Sequence, residues 1–356
     1  MKKRAVILLL AGLLAAGSLT GCGSLEDSDV VATVNDTDIT AGVANFLARY
    51  TQAQYETYYA GYMGDDMWSG EGEDGETYQD TVKDSILESL ENMYLMEQHM
   101  DEYEVSLSDE EKNAIKEAAS EFDSANGLSE KEKVSGSTDN VERVLELLTI
   151  QKKVQDAIEA GADTEVSDEE AAQKSMQYVV FPFTTTDEEG NSVDLTDEEK
   201  EELKATAESF AAGAAGAADF AAYAAQQGQT SQDATFDGET TTLPTQLVEA
   251  ADALGEGETT GLVEGDNGYY VARVTSLLDR EATDAKKQEI VSQRQQELLD
   301  DTIDGWREDA DIEVHEKVWD KVDFTTLTVT MKQDEADPYT DEVQTDDQAE
   351  NAEEQE

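Results

Sequence analysis

The run Leu243–Val274, LPTQLVEAADALGEGETTGLVEGDNGYYVARV, constrains the fold more than any other part of the chain. Leu247, Ala250, Ala251 and Leu254 recur at helical spacing, which predicts a short amphipathic helix. Gly255 and Gly257 break it, and a loop follows. Asn267-Gly268 is then a turn signal, and Tyr269 to Val274 reads as a strand. A short helix, a loop, a tight turn and a strand in close succession need a small sheet that the strand can join and the helix can cover.

That order resembles the C-terminal half of a parvulin-type prolyl isomerase domain, where a helix ends near A-L-G-E-G-E and a G-Y-H-I-x-x-V strand follows. Tyr270 stands at the histidine of that strand. The residues upstream supply the rest of such a module. Ser167 with Glu170 predicts a capping box and a helix to about Lys174, and Met176 to Phe183 is an apolar run of strand length. Thr196 with Glu199 caps a helix to about Ala212, and Asp219 caps another that carries Phe220 and Tyr223 and ends by Gly228. The resemblance implies helices packed on a small mixed sheet. Glu208 and Asp219 argue against reading the Ala/Gly-rich run 205–225 as a membrane segment.

Charge removes whole classes of function. With 24 basic and 84 acidic residues the formal charge is -60, a field that repels phosphate backbones, so no nucleic acid partner is expected. The single cysteine, Cys22, excludes an internal disulfide and a cysteine-rich metal site. The two histidines, His99 and His315, lie far apart and show no metal-binding spacing, so neither a metal nor a cofactor is expected. The acidic, glycine-rich loop Gly61 to Gly75 lacks the spacing of a calcium-binding EF-hand and reads as solvated.

The N-terminus reads as a targeting segment. Lys2, Lys3 and Arg4 precede an apolar run, Ala5 to Ala16, and then Leu19-Thr20-Gly21-Cys22. This resembles the lipobox of bacterial lipoproteins, which implies that Cys22 becomes a lipidated N-terminal residue. Each buried methylene of an acyl chain contributes about 0.8 kcal/mol, so two or three chains hold a protein firmly at a membrane.

Beyond a polar tether at 23–29, Val31 to Ile39 reads as a strand, an Asn-Asp turn and a second strand. Thr40 precedes a helix bearing Val43, Phe46, Leu47 and Tyr50. Further stripes at helical spacing run through Ile86, Leu87, Leu90, Met93, Tyr94 and Met100, and through Val141, Val144, Leu145 and Leu148. Ser108 with Glu111 and Ser129 with Glu132 have the form of capping boxes. A long amphipathic helix is expected from Ala282 to Trp319, with Leu299, Ile303 and Trp306 on one face, and the chain then turns acidic and poor in apolar residues.

VATVNDTDITAGVANF is similar to the opening of the PrsA and SurA group of extracytoplasmic folding factors. The implied fold class is α+β: a mainly helical SurA-like chaperone domain (30–165) with an inserted parvulin-like α/β module (166–280). A C-terminal helix and strand (281–325) complete the chaperone domain, after a signal peptide and lipobox at 1–22, and a disordered acidic tail (326–356) follows. The partners implied are unfolded or translocating secreted polypeptides and the membrane, reached through the lipid on the extracytoplasmic face of the cell membrane. Nothing in the sequence fixes or excludes a homodimer.

Rotation about a prolyl amide faces a barrier of roughly 18–20 kcal/mol and needs no nucleophile, only a site that favours the twisted amide. The resemblance implies that such a site would map to Tyr178 and Tyr270, at the two histidine positions, and to Asp233, at the Cys/Asp position. The apolar shelf falls near Leu243 and Leu247, and Phe181, Leu243, Leu247 and Tyr270 are the candidate client-binding residues. Tyrosine donates and accepts hydrogen bonds as a neutral histidine does, yet does not titrate near neutral pH. Tyr50, Tyr55, Tyr58, Tyr59 and Tyr62 form a second candidate surface, since aromatic rings suit recognition of unfolded segments. Three readings follow: a holding chaperone with a degenerate isomerase module, a competent peptidyl-prolyl isomerase, and, last, a solute-binding lipoprotein.

Overall fold

A computed structural model describes residues 13–16, 25–64, 66–72, 75–187 and 190–332. The fold is α+β, and the chain divides into two compact units, 1–161 with 297–356, and 162–296. Cys22, the apolar run before Leu13 and the acidic residues beyond 332 lie outside the described residues.

The first unit begins with a short strand, β1 (Leu13–Ala16), and a hairpin, β2 (Val30–Val34) and β3 (Thr37–Thr40). Asn35 turns the hairpin at φ 54°, a left-handed conformation that asparagine tolerates better than most residues. The helix α1 (Ala41–Tyr58) starts after Thr40, whose side chain makes no capping bond. Its burial is wider than an amphipathic stripe. Every residue from Ala41 to Tyr50 is buried, because other elements surround it.

A turn of helix, α2 (Ala60–Met63), leads to α3 (Tyr78–Gln98), which Thr77 and Asp80 cap reciprocally. Next come α4 (Asp109–Ala125), with the expected Ser108–Glu111 box, α5 (Leu128–Lys133) and α6 (Thr138–Glu159). Ser129 and Glu132 do not cap α5. Its N-terminus lies at Gly127, whose N–H donates to Glu130 Oε2 at 2.7 Å. The loop 61–75 is not wholly solvated either, since Met67 and Trp68 are buried in the core.

The second unit holds a four-stranded sheet. In chain order its elements are β4 (Lys174–Pro182), β5 (Thr184–Thr186), β6 (Ser192–Asp194), α7 (Asp197–Ala214), α8 (Phe220–Gln226), β7 (Gln232–Phe236), α9 (Thr245–Asp252), β8 (Val263–Gly265) and β9 (Gly268–Ser276). The sheet order is β7-β4-β9-β8, while β5 and β6 form a separate hairpin. All three sheet pairings are antiparallel, so the sheet is not mixed. The two faces separate by the period-2 alternation of strands. Val179, Phe181 and Val271 pack with Phe210 and Phe220 of α7 and α8, whereas Met176, Tyr270, Ala272 and Val274 pack with Leu247, Val248 and Ala251 of α9.

No helix forms at 167–174. Ser167 Oγ accepts from Glu170 N at 3.1 Å, but the Glu170 carboxylate binds Arg294 instead of returning to the Ser167 backbone, and only a turn results. Asp168 is held likewise by Arg280 and Lys287.

The last elements are α10 (Arg280–Asp309), β10 (Ile312–Val314), α11 (Glu316–Trp319) and β11 (Thr328–Met331). The expected helix to Trp319 thus stops at Asp309. Asp311 exchanges hydrogen bonds with Asn35, and β10 joins β2 in a sheet of order β10-β2-β3. The core of the first unit combines α1, α3, α4 and α6 with Trp319, Val322, Phe324, Leu327 and Val329 of this closing segment. Fully buried members such as Ile39, Leu90 and Leu95 each contribute about 1.5–3 kcal/mol by leaving water.

Candidate functional site

Tyr178 and Tyr270 meet on one face of the sheet in the second unit. The register places Tyr178 opposite Ala272 and Tyr270 opposite Val180, so both side chains project from the α9 side. Their ring centroids are 6.4 Å apart, tilted by 35°. Each hydroxyl donates to a neutral carboxamide: Tyr178 to Gln232 Oε1 at 2.7 Å, and Tyr270 to Asn267 Oδ1 at 2.5 Å.

Tyr270 is buried, and burial, with the nearby Tyr178, pushes its phenol above the ordinary value, against the opposing effect of the Asn267 bond. The phenol therefore stays neutral in the folded protein at neutral pH. Its ring fills the space beside Gly265 and Pro244: a Cβ built on Gly265 would lie 3.0 Å from Tyr270 Cε2 and 3.3 Å from Pro244 Cβ. Leu247 is fully buried beneath the same face and Leu243 is half-buried at its margin.

Phe181 and Asp233 do not join this group. Phe181 lies on the opposite face, with its ring 5.5 Å from that of Phe210, because it is an odd number of strand positions from Tyr178. Asp233 pairs in register with Gln177, whose amide donates to its carboxylate at 3.1 Å, and so it too belongs to the face away from Tyr178. Phe181 thus packs in a different cluster from Leu243, Leu247 and Tyr270. A cleft of about 570 Å³ opens toward the other end of the sheet, lined by Ser175, Asp233, Thr235, Ser276 and Asp279 among others, with neither tyrosine in its wall.

The partners Gln232 and Asn267 were not legible as site residues. Gln232 reaches Tyr178 only through the β4–β7 register, which no local pattern announces. Asn267 carries a turn signal, and that role conceals its second one.

In the first unit the tyrosine series splits. Tyr50 is buried, and Tyr55 joins Tyr59, Trp68 and Tyr78 in edge-on or tilted contacts with centroids 5.6–5.9 Å apart. Burial, and then a hydrogen bond with Tyr55, push the Tyr78 phenol up to about 12. Tyr58, Tyr59, Tyr62 and Met63 are exposed, Tyr62 by 93%. Below them a polar ladder on α1 grips the closing segment. Arg49 donates to Asp323 O at 3.1 Å and Gln52 to Phe324 O at 3.1 Å and Leu327 O at 2.5 Å. The carboxylate of Glu56 accepts from Val329 N at 2.6 Å and from Trp68 Nε1 at 2.9 Å. These positions follow helical spacing, so one face of α1 serves all of them.

Among the described residues no group of three or more His, Cys, Asp or Glu is placed to hold a metal ion, and no helix is long and apolar enough to cross a membrane.

Residues 184–287, within the second unit, match the family model of the PPIC-type PPIASE domain. The matched residues include Asp233, Leu243, Leu247 and Tyr270, while Tyr178 and Phe181 precede them. No curated protein matches the sequence. Among solved structures, the foldase protein PrsA of Streptococcus pneumoniae is similar at 17% identity over 72% of this chain and 99% of that one, with a TM-score of 0.31. A SurA-like chaperone of Campylobacter jejuni is similar at 15% identity over 80% of this chain and 98% of its own, TM-score 0.29. The peptidylprolyl isomerase PrsA of Bacillus cereus shows 15% identity over 83% of this chain and 98% of its own, also at 0.29.

Proposed function

We propose that this protein is an extracytoplasmic folding factor, anchored to the membrane through lipidated Cys22, that holds unfolded secreted polypeptides. Its PPIC-type domain contributes architecture and binding surface, with weak or no isomerase activity. The observation that carries the second half of this reading is the Tyr178–Tyr270 pair. Where the parvulin resemblance places two histidines, two tyrosine hydroxyls bond to carboxamides, and the Tyr270 ring fills the adjoining space. A proline ring would have to displace the Tyr270 ring from this space before the domain could favour a twisted amide over a planar one.

The first half rests on the PPIC-type match, the lipobox and the order of segments in the sequence. The chaperone role falls to the first unit, where Tyr58, Tyr59, Tyr62 and Met63 offer aromatic and thioether surface that adapts to varied apolar segments. Leu243 and the exposed margin of α9 are a secondary contact for clients. The charge of -60 keeps a loaded complex soluble and favours basic clients.

Aggregation of a chemically unfolded secreted enzyme, followed by light scattering, tests the reading. Equimolar protein should suppress it, and unchanged scattering at a large excess would contradict a holding role. A competent isomerase is the second reading, and it predicts faster proline-limited refolding at catalytic amounts.

A further inference from the structure

The strand β11 is held on one edge only by side chains. Val329 N–H donates to Glu56 Oε2 at 2.6 Å and Met331 N–H to Thr57 Oγ1 at 2.8 Å, so α1 secures that edge. By the alternation of a strand, the N–H groups of Thr328 and Thr330 face the other way. There they meet β1, which pairs antiparallel in the register Leu13–Met331, Leu14–Thr330, Ala15–Val329 and Ala16–Thr328. These two strands form a sheet of their own, with α5 alongside β1. The occupant of the edge is therefore an extended, uncharged apolar segment, Leu-Leu-Ala-Ala, from the run read as a leader.

Once a leader is removed before Cys22, nothing in that pairing remains, and β11 presents an open edge. Proteins ordinarily blunt such edges with charge, proline or a covering element. The run Thr325–Met331, TTLTVTM, has no charged residue and no proline, in a chain of which 30% is charged. It is rich in β-branched residues, which favour strand pairing. The exposed Tyr58, Tyr59 and Tyr62 begin one residue past Thr57, the group that holds Met331.

We infer that the mature chain uses the free edge of β11 as a strand-addition site, which takes an extended, uncharged apolar segment of a client polypeptide in antiparallel pairing. The leader strand shows the geometry of the occupant, main-chain bonds supply affinity independent of exact sequence, and α1 supplies a rigid backing. The inference rests on the folding-factor reading for its clients and on leader removal for its vacancy.

The test uses the chain from Gly23 onward and a fluorescent peptide of residues 9–18 with a neutral Gly/Ser tail, read by anisotropy. The peptide should bind, and methylation of its alternate backbone nitrogens should weaken binding at least tenfold. Thr330→Pro removes an N–H on the free edge and none on the α1 edge, and should weaken binding equally. Equal binding of the methylated and parent peptides overturns the inference, whatever the fold of the variant. Client aggregation measured with the same proteins separates the two claims. Protection that survives Thr330→Pro in a folded variant overturns the edge as the client site and leaves the folding-factor reading intact. Edge-dependent peptide binding without any protection supports the site and contradicts that reading. A dimer that Thr330→Pro dissolves and the peptide does not would make a second copy the occupant, which overturns the inference.

Discussion

Tyr178 and Tyr270 face each other across β4 and β9 with ring centroids 6.4 Å apart, and neither hydroxyl is bonded to a titratable group. One is bonded to Gln232 and the other to Asn267. The pair therefore behaves as a capped piece of core with two satisfied phenols. Tyr270→Ala should destabilise the second unit by about 3–5 kcal/mol, the range for truncating a large buried aromatic. Tyr270→Phe should cost only about 1 kcal/mol, for one lost hydrogen bond. Urea unfolding of the two variants measures both. Equal, small losses would show that the ring is not a packing element.

Gly268 opens β9 where the backbone of β4 comes closest. A Cβ there would lie 2.6 Å from Phe181 O and 3.2 Å from Pro182 Cα, atoms that cannot turn aside. Gly268→Ala should lower stability by about 1–3 kcal/mol, as overpacking does, and displace the end of the β4–β9 pairing. The unfolding midpoint checks the first effect, and amide exchange at Tyr269 and Tyr270 checks the second.

Gln52 satisfies two buried carbonyls of the closing segment, those of Phe324 and Leu327. Gln52→Ala leaves both without that donor and should cost about 1–3 kcal/mol for each carbonyl that water does not reach. Limited proteolysis near Leu327 should accelerate before the rest of the first unit is cut. An unchanged cleavage pattern would mean that α1 does not secure this segment.

Alkaline pH should weaken both units. Tyr78, Tyr50 and Tyr94 in the first unit and Tyr269 and Tyr270 in the second all have phenols raised above the ordinary value of 10.0, with burial the first cause in each. A raised phenol keeps its proton in the folded chain when the unfolded chain has lost it. The contribution is thus complete below pH 10 and is lost as pH rises through the folded value, about 12 for Tyr78. Denaturant midpoints should fall across that window, and Tyr78→Phe should make the fall shallower.

The run Leu243–Val274 announced its own structure well. Helix α9 and strand β9 follow from the spacing of Leu247, Ala250 and Ala251 and from Asn267-Gly268, since period and turn chemistry are local properties, although the helix ends at Asp252, short of Leu254. The capping boxes at Ser108 and Thr196 were legible for the same reason, because all their partners lie within one turn. Ser167 has the same local form, yet Arg294, remote in sequence, takes its Glu170 and no helix forms. The site suffered from the same limit. Tyr178 and Tyr270 could be matched by pattern, but the face occupied by Asp233 and Phe181 depends on strand register, and Gln232 enters only through it.

A protease-coupled assay on an Ala-Pro peptide measures whether the tyrosine pair supports isomerisation. The purified chain should leave the cis-to-trans rate within error of the uncatalysed rate at micromolar protein. Clear acceleration, abolished by Tyr270→Ala in a variant that stays folded, would contradict this and make the tyrosine pair part of a working isomerase.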